Sequence, residues 1–337
     1  MDQVGRRRFL AALGATALPV AFHCRAQRAR KAPLVGVIVD GNRRQPSGDL
    51  YWEPLINKSL EKAGYTVGKD IDLEWRFTEG KFERVTEFAN EFAGLEVDVI
   101  LCTQSFPAVG FIKAATSKIP IVMHGYPPNP VRTGLIASFA RPGGNVTGTT
   151  WVRDITELTV KQFQILREAA PKANRLAILR WTNSPPASWI AQIGTRVNEA
   201  FGFEIVDFPV ANPSDLREVL DKVWAHGPDG LFVFWTSFII QRGSEIAAFA
   251  IERKLLSSGS GVGFAYDGGL LYYGPDGLAL IDRTISYVDR ILRGANPGEL
   301  PVEEPTKFQF AFNAKTAKAI GYLLPPSLQL RVDTVIE

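Results

Sequence analysis

Leu34-Val35-Gly36-Val37-Ile38-Val39 is an unbroken apolar run between Pro33 and Asp40. A strand with one wet face alternates apolar and polar residues. A run with no polar residue suits a strand covered on both faces, as in a parallel sheet. Working outward, Trp52 to Ala63 carries apolar residues at helical spacing (Leu55, Ile56, Leu60, Ala63) and stops at Gly64. Ile71 to Phe77 alternates like a strand, Phe82 to Phe92 is helical, and Val97 to Cys102 is a second buried strand. Ala108 to Thr116 is helical, and Ile119 to Met123 is a third buried strand. Strands alternating with helices require crossover connections, and therefore a parallel sheet with helices on its faces.

Arg141-Pro142-Gly143-Gly144-Asn145-Val146-Thr147-Gly148 interrupts this rhythm with a proline and paired glycines. A helix over Glu157–Ala169 follows and the alternation restarts. Arg175–Arg180, Glu204–Phe208 and Gly230–Trp235 read as strands, and Trp189–Phe201, Leu216–Ala225 and Ser244–Lys254 as helices. Two similar α/β units thus meet near Gly148. The expected class is α/β, with two doubly wound parallel-sheet lobes and a hinge. In the tail, Gly268–Gly274 reads as a strand, Asp276–Arg293 as a helix ended by Gly294, and Pro301–Phe312 as extended chain. Asn313 then caps a last helix to Ile320, ended by Gly321.

The first 26 residues read as a signal peptide: Arg6-Arg7-Arg8, an uncharged apolar core from Leu10 to Val20, and Cys24-Arg25-Ala26 placing small residues at −3 and −1 before Gln27. The core is shorter than the roughly 20 residues that span a bilayer. Arg6-Arg7-Arg8-Phe9-Leu10 fits a twin-arginine signal; an ordinary secretory signal with an extra arginine is the alternative. His23 stands where a lipobox has a small residue, which argues against lipidation at Cys24. Without the signal, the net charge of +3 falls to balance, with 34 basic and 34 acidic residues. The basic excess therefore belongs to the leader, and nothing points to a nucleic-acid surface or a polybasic membrane patch. Cys102 alone remains, so no internal disulfide is expected. No later segment is long and apolar enough to span a bilayer, so the mature chain is expected to be soluble.

Several motifs in a fixed order resemble a known family. They are Glu61-Lys62-Ala63-Gly64-Tyr65, Ile119-Pro120-Ile121-Val122, Arg141 to Gly148, Leu166-Arg167-Glu168-Ala169-Ala170-Pro171-Lys172-Ala173 and Gly268-Gly269-Leu270. Pro305-Thr306-Lys307-Phe308, Asn313-Ala314-Lys315-Thr316-Ala317-Lys318 and Pro325-Pro326-Ser327-Leu328 complete the set, along with the Arg-Arg-x-Phe leader. Each is weak alone; together they resemble the substrate-binding proteins of ABC transporters, tryptophan/tyrosine type. The resemblance implies a type I periplasmic-binding fold with three crossings. Lobe 1 would be 33–148 plus 270–293, and lobe 2 would be 149–264 plus 301–330. It implies an exported periplasmic monomer that captures a small-molecule ligand and hands it to an inner-membrane ABC permease, with no cofactor, no metal and no catalysis. A ligand sensor for a signalling receptor would carry the same fold and cleft.

In open parallel sheets, ligand sits beyond the carboxyl ends of the strands. That rule selects Asp40, Asn42, Gln104, Ser105, His124 and Tyr126 in the first unit. In the second it selects Trp181, Asn183, Trp235 and Thr236. The resemblance adds Trp151 at a crossing and Asp267 before Gly268. Gln104 and Ser105 precede a helix and suit a carboxylate. Asp40 and Asp267 suit an ammonium. Trp181 and Trp235 stand where the family more often has Asn-Pro or Asp-Pro. Each either stacks on a planar ligand or packs on neighbouring helices. An aromatic or amino-acid-like ligand is the sharper expectation. Ser257–Gly263, where the family has an apolar strand, reads as a flexible rim.

Enzyme readings lack their signatures. His124 and His226 form no metal-spaced pair, no Gly-x-Ser-x-Gly elbow occurs, and Cys102 ends a buried strand like an inert packed thiol. Gly259–Gly263 is a poor dinucleotide loop, because Phe264 takes the place of the last glycine. Asp40 with Asp267 is the one candidate acid/base pair. Glu303-Glu304 reads as a solvated pair, and His226 as a turn residue.

Overall fold

The computed structural model describes residues 32–43, 52–79, 81, 83–103, 108–126, 129–182, 185–234, 236, 239 and 241–337. The leader lies outside the described residues. The apolar runs read from the sequence form strands β1 (Leu34–Val39), β3 (Val99–Thr103) and β4 (Ile121–Tyr126). With β2 (Asp72–Phe77) and β5 (Val146–Thr150) they make one sheet in the order β2-β1-β3-β4-β5. Every pair in it is parallel. Helices cover both faces, which is why the central strands carry no polar residue until their ends. Phe88 and Phe92 of α2 (Arg84–Gly94) and Ile112 of α3 (Ala108–Ala115) bury one face with Ile38 and Ile100. Trp52, Ile56 and Leu60 of α1 (Trp52–Lys62) bury the other with Val35, Val37 and Leu101.

The second sheet repeats the order. Strands β6 (Arg175–Trp181), β7 (Glu204–Val210), β8 (Gly230–Val233), β9 (Leu256–Gly259) and β10 (Leu271–Pro275) run β7-β6-β8-β9-β10, all parallel. β11 (Phe308–Asn313) adds antiparallel to β10, and β12 (Thr334–Ile336) adds parallel to β11. Helices α4 (Ile155–Ala169) and α5 (Ala187–Phe201) cover one face, and α6 (Leu216–Ala225) and α7 (Gly243–Glu252) the other. The α/β class and the doubled, doubly wound lobes are as expected from the alternation.

The lobe boundaries differ from the expected ones. Segment 270–293, assigned to lobe 1, divides. β10 lies in the second sheet, with Leu271 and Tyr272 in register with Ser258 and Gly259, whereas α9 (Gly277–Leu292) packs on the first sheet through Ile281, Ile285 and Val288. Residues 301–303, assigned to lobe 2, stay with the first sheet, because Leu300 and Val302 are buried in its two cores. Periodicity identifies an element but not which of two sheets it joins.

Ser257–Gly263 is also not a rim. Ser257 and Ser258 are buried in β9, Ser257 Oγ accepts from the Leu270 N–H at 3.1 Å, and one-turn helix α8 (Val262–Tyr266) follows. The small residues make room for Phe264, whose ring lies on the strand. A Cβ on Gly269 would stand 2.3 Å from that ring, so glycine is required there.

The chain passes between the sheets three times: after β5, at Asp276, and between α9 and β11. The crossings hold one another. Thr150 N–H donates to Glu303 O at 2.9 Å, Glu303 N–H to Gly148 O at 3.1 Å, and Asp276 N–H to Lys307 O at 3.0 Å. Glu303 takes the Arg283 guanidinium, and Glu304 pairs with Arg153 at 2.7 Å. The two glutamates expected to be merely solvated are therefore ion-paired across the crossings. α10 (Ala314–Ile320) is capped by Asn313, which accepts from Thr316 N–H at 2.8 Å, and ends at Gly321 as predicted. α11 (Pro326–Gln329) closes that side of the second core through Leu328.

Candidate functional site

A 2-1-3-4-5 order means that consecutive connections leave β1 in opposite directions. A crevice opens where they part, at the carboxyl ends of β1 and β3. The second sheet has its equivalent at the ends of β6 and β8. The carboxyl ends of these four strands and the segments after them hold Asp40 and Asn42, Gln104 and Ser105, Trp181 and Asn183, and Trp235 and Thr236. Gln104, Ser105, Asn183 and Trp235 lie outside the described residues.

Asp40 is held in place from the neighbouring loop. Buried Thr78, just past β2, donates its Oγ1–H to Asp40 Oδ1 at 3.0 Å and accepts from the Gly41 N–H at 3.0 Å. Complete burial, and after it the Asp40 charge, push the Cys102 thiol up, so it stays protonated and unreactive, as the sequence suggested. Asn42 is exposed beside it. Tyr126 ends β4 opposite Thr150.

His124 is a core residue, 3% exposed, not a free strand-end ligand. Trp52 meets it edge-on at 5.6 Å. Thr284 of α9 donates to Leu280 O at 2.8 Å, and its Oγ1 lies 2.9 Å from both Thr149 Oγ1 and His124 Nδ1. With its single proton on Leu280 O, Thr284 must accept from both, which puts the imidazole proton on Nδ1. Burial lowers the His124 pKa to about 4, so the ring is neutral. The ring lines a cavity of about 10 Å³ with Trp52, Leu101, Thr103 and Ile281.

In the second lobe Trp181 is half-buried and packs on the core between the sheet and α6 and α7. Trp151 lies at the first crossing against Ala265, Tyr272 and Ala311; a Cβ on Gly277 would stand 3.8 Å from its ring. While Asp40 follows β1 in the first lobe, Asp267 caps the carboxyl end of α8, ahead of the amino end of β10. Burial raises its pKa to about 6. His226 caps α6 against Phe208, consistent with a turn role.

Two hydroxyls stand out. Thr103 Oγ1 and Thr236 Oγ1 are buried with no hydrogen-bond partner among the described residues, and no other Ser or Thr hydroxyl there shares that state. Thr103 ends β3 and Thr236 follows β8, the equivalent strands of the two lobes. An unmet buried hydroxyl costs stability unless something pairs with it. Thr236 is among the residues that the strand-end rule selects. Thr103 is selected by the same rule, in the segment Thr103-Gln104-Ser105 that closes an apolar strand.

The pattern of the ABC transporter substrate binding protein family matches residues 46–336, most of the chain. The chain belongs to that family. A curated relative in Clostridioides difficile, a tyrosine-binding protein, is 24% identical over 263 residues, 78% of this chain and 74% of the relative. Among solved structures, an ABC domain in complex with L-Trp from Streptococcus pneumonia superposes with a TM-score of 0.76 at 20% identity, covering 90% of this chain and all of that one. A conserved domain protein from Vibrio cholerae gives the same values. A ligand-free, open substrate-binding protein with adhesive properties from Clostridium difficile gives 0.64 at 20% identity, over 90% of this chain and 99% of that one. These likenesses establish the type I periplasmic-binding architecture of a substrate-binding protein in this family. Substrate-binding proteins of this kind bind solutes rather than transform them. Among the described residues no cluster of metal-ligating side chains occurs, and no helix is long and apolar enough to cross a membrane.

Proposed function

We propose that this substrate-binding protein is the exported solute-binding subunit of an ABC importer, and that it closes its two lobes on an aromatic amino acid. The observation that carries the reading is the pair of hydroxyls, Thr103 and Thr236, without a partner among the described residues, at equivalent strand ends on the two lobes. A ligand between the lobes can satisfy donors and acceptors from both at once, which couples binding to closure of the crossings. Asp40, oriented by Thr78, suits the ammonium. Gln104 and Ser105, ahead of α3, suit the carboxylate. Trp181 would offer a face for the ring, and Trp235, Asn42, Tyr126, Asn183 and Trp151 remain the further candidates that the strand-end rule and the family resemblance select. His124 shapes that wall from behind. The tyrosine-binding relative and the L-Trp complex support this ligand class. The leader would deliver the chain to the periplasm, with cleavage after Ala26, where an inner-membrane permease is the partner of the monomer.

The test is isothermal titration of purified 27–337 with L-tryptophan, L-tyrosine, L-leucine and galactose. Ligand at 100 times its dissociation constant adds about 2.7 kcal/mol of stability, enough for a clear thermal shift as cross-check. Binding confined to the aromatic pair is expected. Binding of leucine or galactose instead would discard the aromatic reading.

A further inference from the structure

We propose that Arg180 is a positioning residue that shapes the second lobe's half of the binding crevice before ligand arrives. The inference rests on the reading that ligand sits at the ends of β6 and β8. Arg180 is the next-to-last residue of β6 and its side chain is only 2% exposed. Its Nε and Nη2 donate to the two carboxylate oxygens of Asp207, on edge strand β7, at 2.8 and 2.6 Å. Its Nη1 points the other way, to the carbonyls of Trp181 (3.2 Å), Thr182 (2.5 Å) and Pro185 (3.0 Å). Thr182 N–H is fixed in addition on Val210 O at 3.0 Å. One guanidinium therefore joins the edge strand to both flanks of the turn that leaves β6, and that turn begins with Trp181.

The equivalent place in the first lobe, next to last in β1, is Ile38, fully buried and apolar. A strand in this topology has no need of a cation there, and burying one is costly unless it is completely paired. The pairing falls on the carbonyls of the crevice loop. Both planar edges of the guanidinium are used, one on a carboxylate and one on carbonyls. A lysine ammonium, a single point, cannot bridge the two.

The experiment compares wild type, Arg180→Lys, Asp207→Asn and Trp181→Ala in the mature chain. It measures titration with L-tryptophan and L-tyrosine, the thermal midpoint without ligand, and amide exchange of peptides 174–180 and 181–189. Arg180→Lys is expected to exchange faster in 181–189 by at least 10-fold, to leave 174–180 as in wild type, and to weaken both affinities at least 5-fold. Asp207→Asn should move both readouts the same way by less. Wild-type affinity in a folded variant overturns the proposal, whether or not its loop exchanges faster, because the loop's order would not matter to ligand. If Arg180→Lys does not fold, Asp207→Asn decides by the same criteria. Wild type that binds neither amino acid removes the functional reading and this inference with it. Weakened binding in Trp181→Ala alongside unchanged Arg180→Lys removes the positioning role alone.

Discussion

Thr236→Val separates stability from binding by sign. The Thr236 hydroxyl is buried and without a partner among the described residues. A buried hydroxyl left unmet costs about 1–3 kcal/mol, and valine keeps the side chain's shape while removing it. The ligand-free variant is therefore expected to gain about 1 kcal/mol of stability. If ligand supplies the missing partner, the same change deletes a hydrogen bond of about 0.5–1.5 kcal/mol, so the dissociation constant rises about 2- to 13-fold. Urea unfolding of the ligand-free protein and titration with L-tryptophan read the two effects separately. Thr236→Ser, which keeps a hydroxyl, should hold affinity closer to wild type. A valine variant that is less stable and binds as tightly as wild type would refute the reasoning, since its hydroxyl would then be satisfied within the protein and irrelevant to ligand.

Gly148→Ala should cost about 3 kcal/mol or more, read by chemical denaturation: Gly148 has φ +122, and a Cβ there would stand 2.2 Å from Met123 O. His124, neutral when folded with its pKa lowered from 6.5 to about 4, must gain a proton on unfolding below pH 6.5. Its contribution is complete above that pH and is lost as pH falls toward 4, by about 3 kcal/mol; His124→Gln should flatten the pH dependence of stability across that window. Asp267 has the opposite sign. Its pKa is raised from 3.8 to about 6, so the folded state holds a proton that the unfolded chain releases, and stability falls as pH rises through that window. Asp267→Asn should stabilise the protein at pH 7.5 by about 1 kcal/mol after allowance for solvent screening, with L-tryptophan affinity unchanged in the titration.

Much of the candidate site is legible in the amino-acid sequence, because it follows from one rule applied to the ends of apolar runs. Asp40, Trp181 and Thr236 do stand at switch points. The residues that hold them are not legible there. Thr78 reaches Asp40 from another strand's end, Thr284 reaches His124 from α9, and Arg180 looks in sequence like one more charge closing a strand. The strand-end rule selects His124 as a ligand contact, but α9 arrives 160 residues later in the chain and covers it.

The sequence alone determined the α/β class and the doubled alternation, because a strand buried on both faces must be apolar throughout and a helix must show its period. It also determined the caps at Asn313 and Gly321, which depend on side chains within one turn. Tertiary structure decided which sheet received β10, whether Ser257 and Ser258 were rim or core, and which lobe held 301–303. Those outcomes depend on partners far along the chain: the Phe264 ring seated on Gly269, the Leu271–Ser258 register, and the burial of Leu300 and Val302 against the first sheet. Local pattern reports how a segment is covered, and only packing determines what covers it.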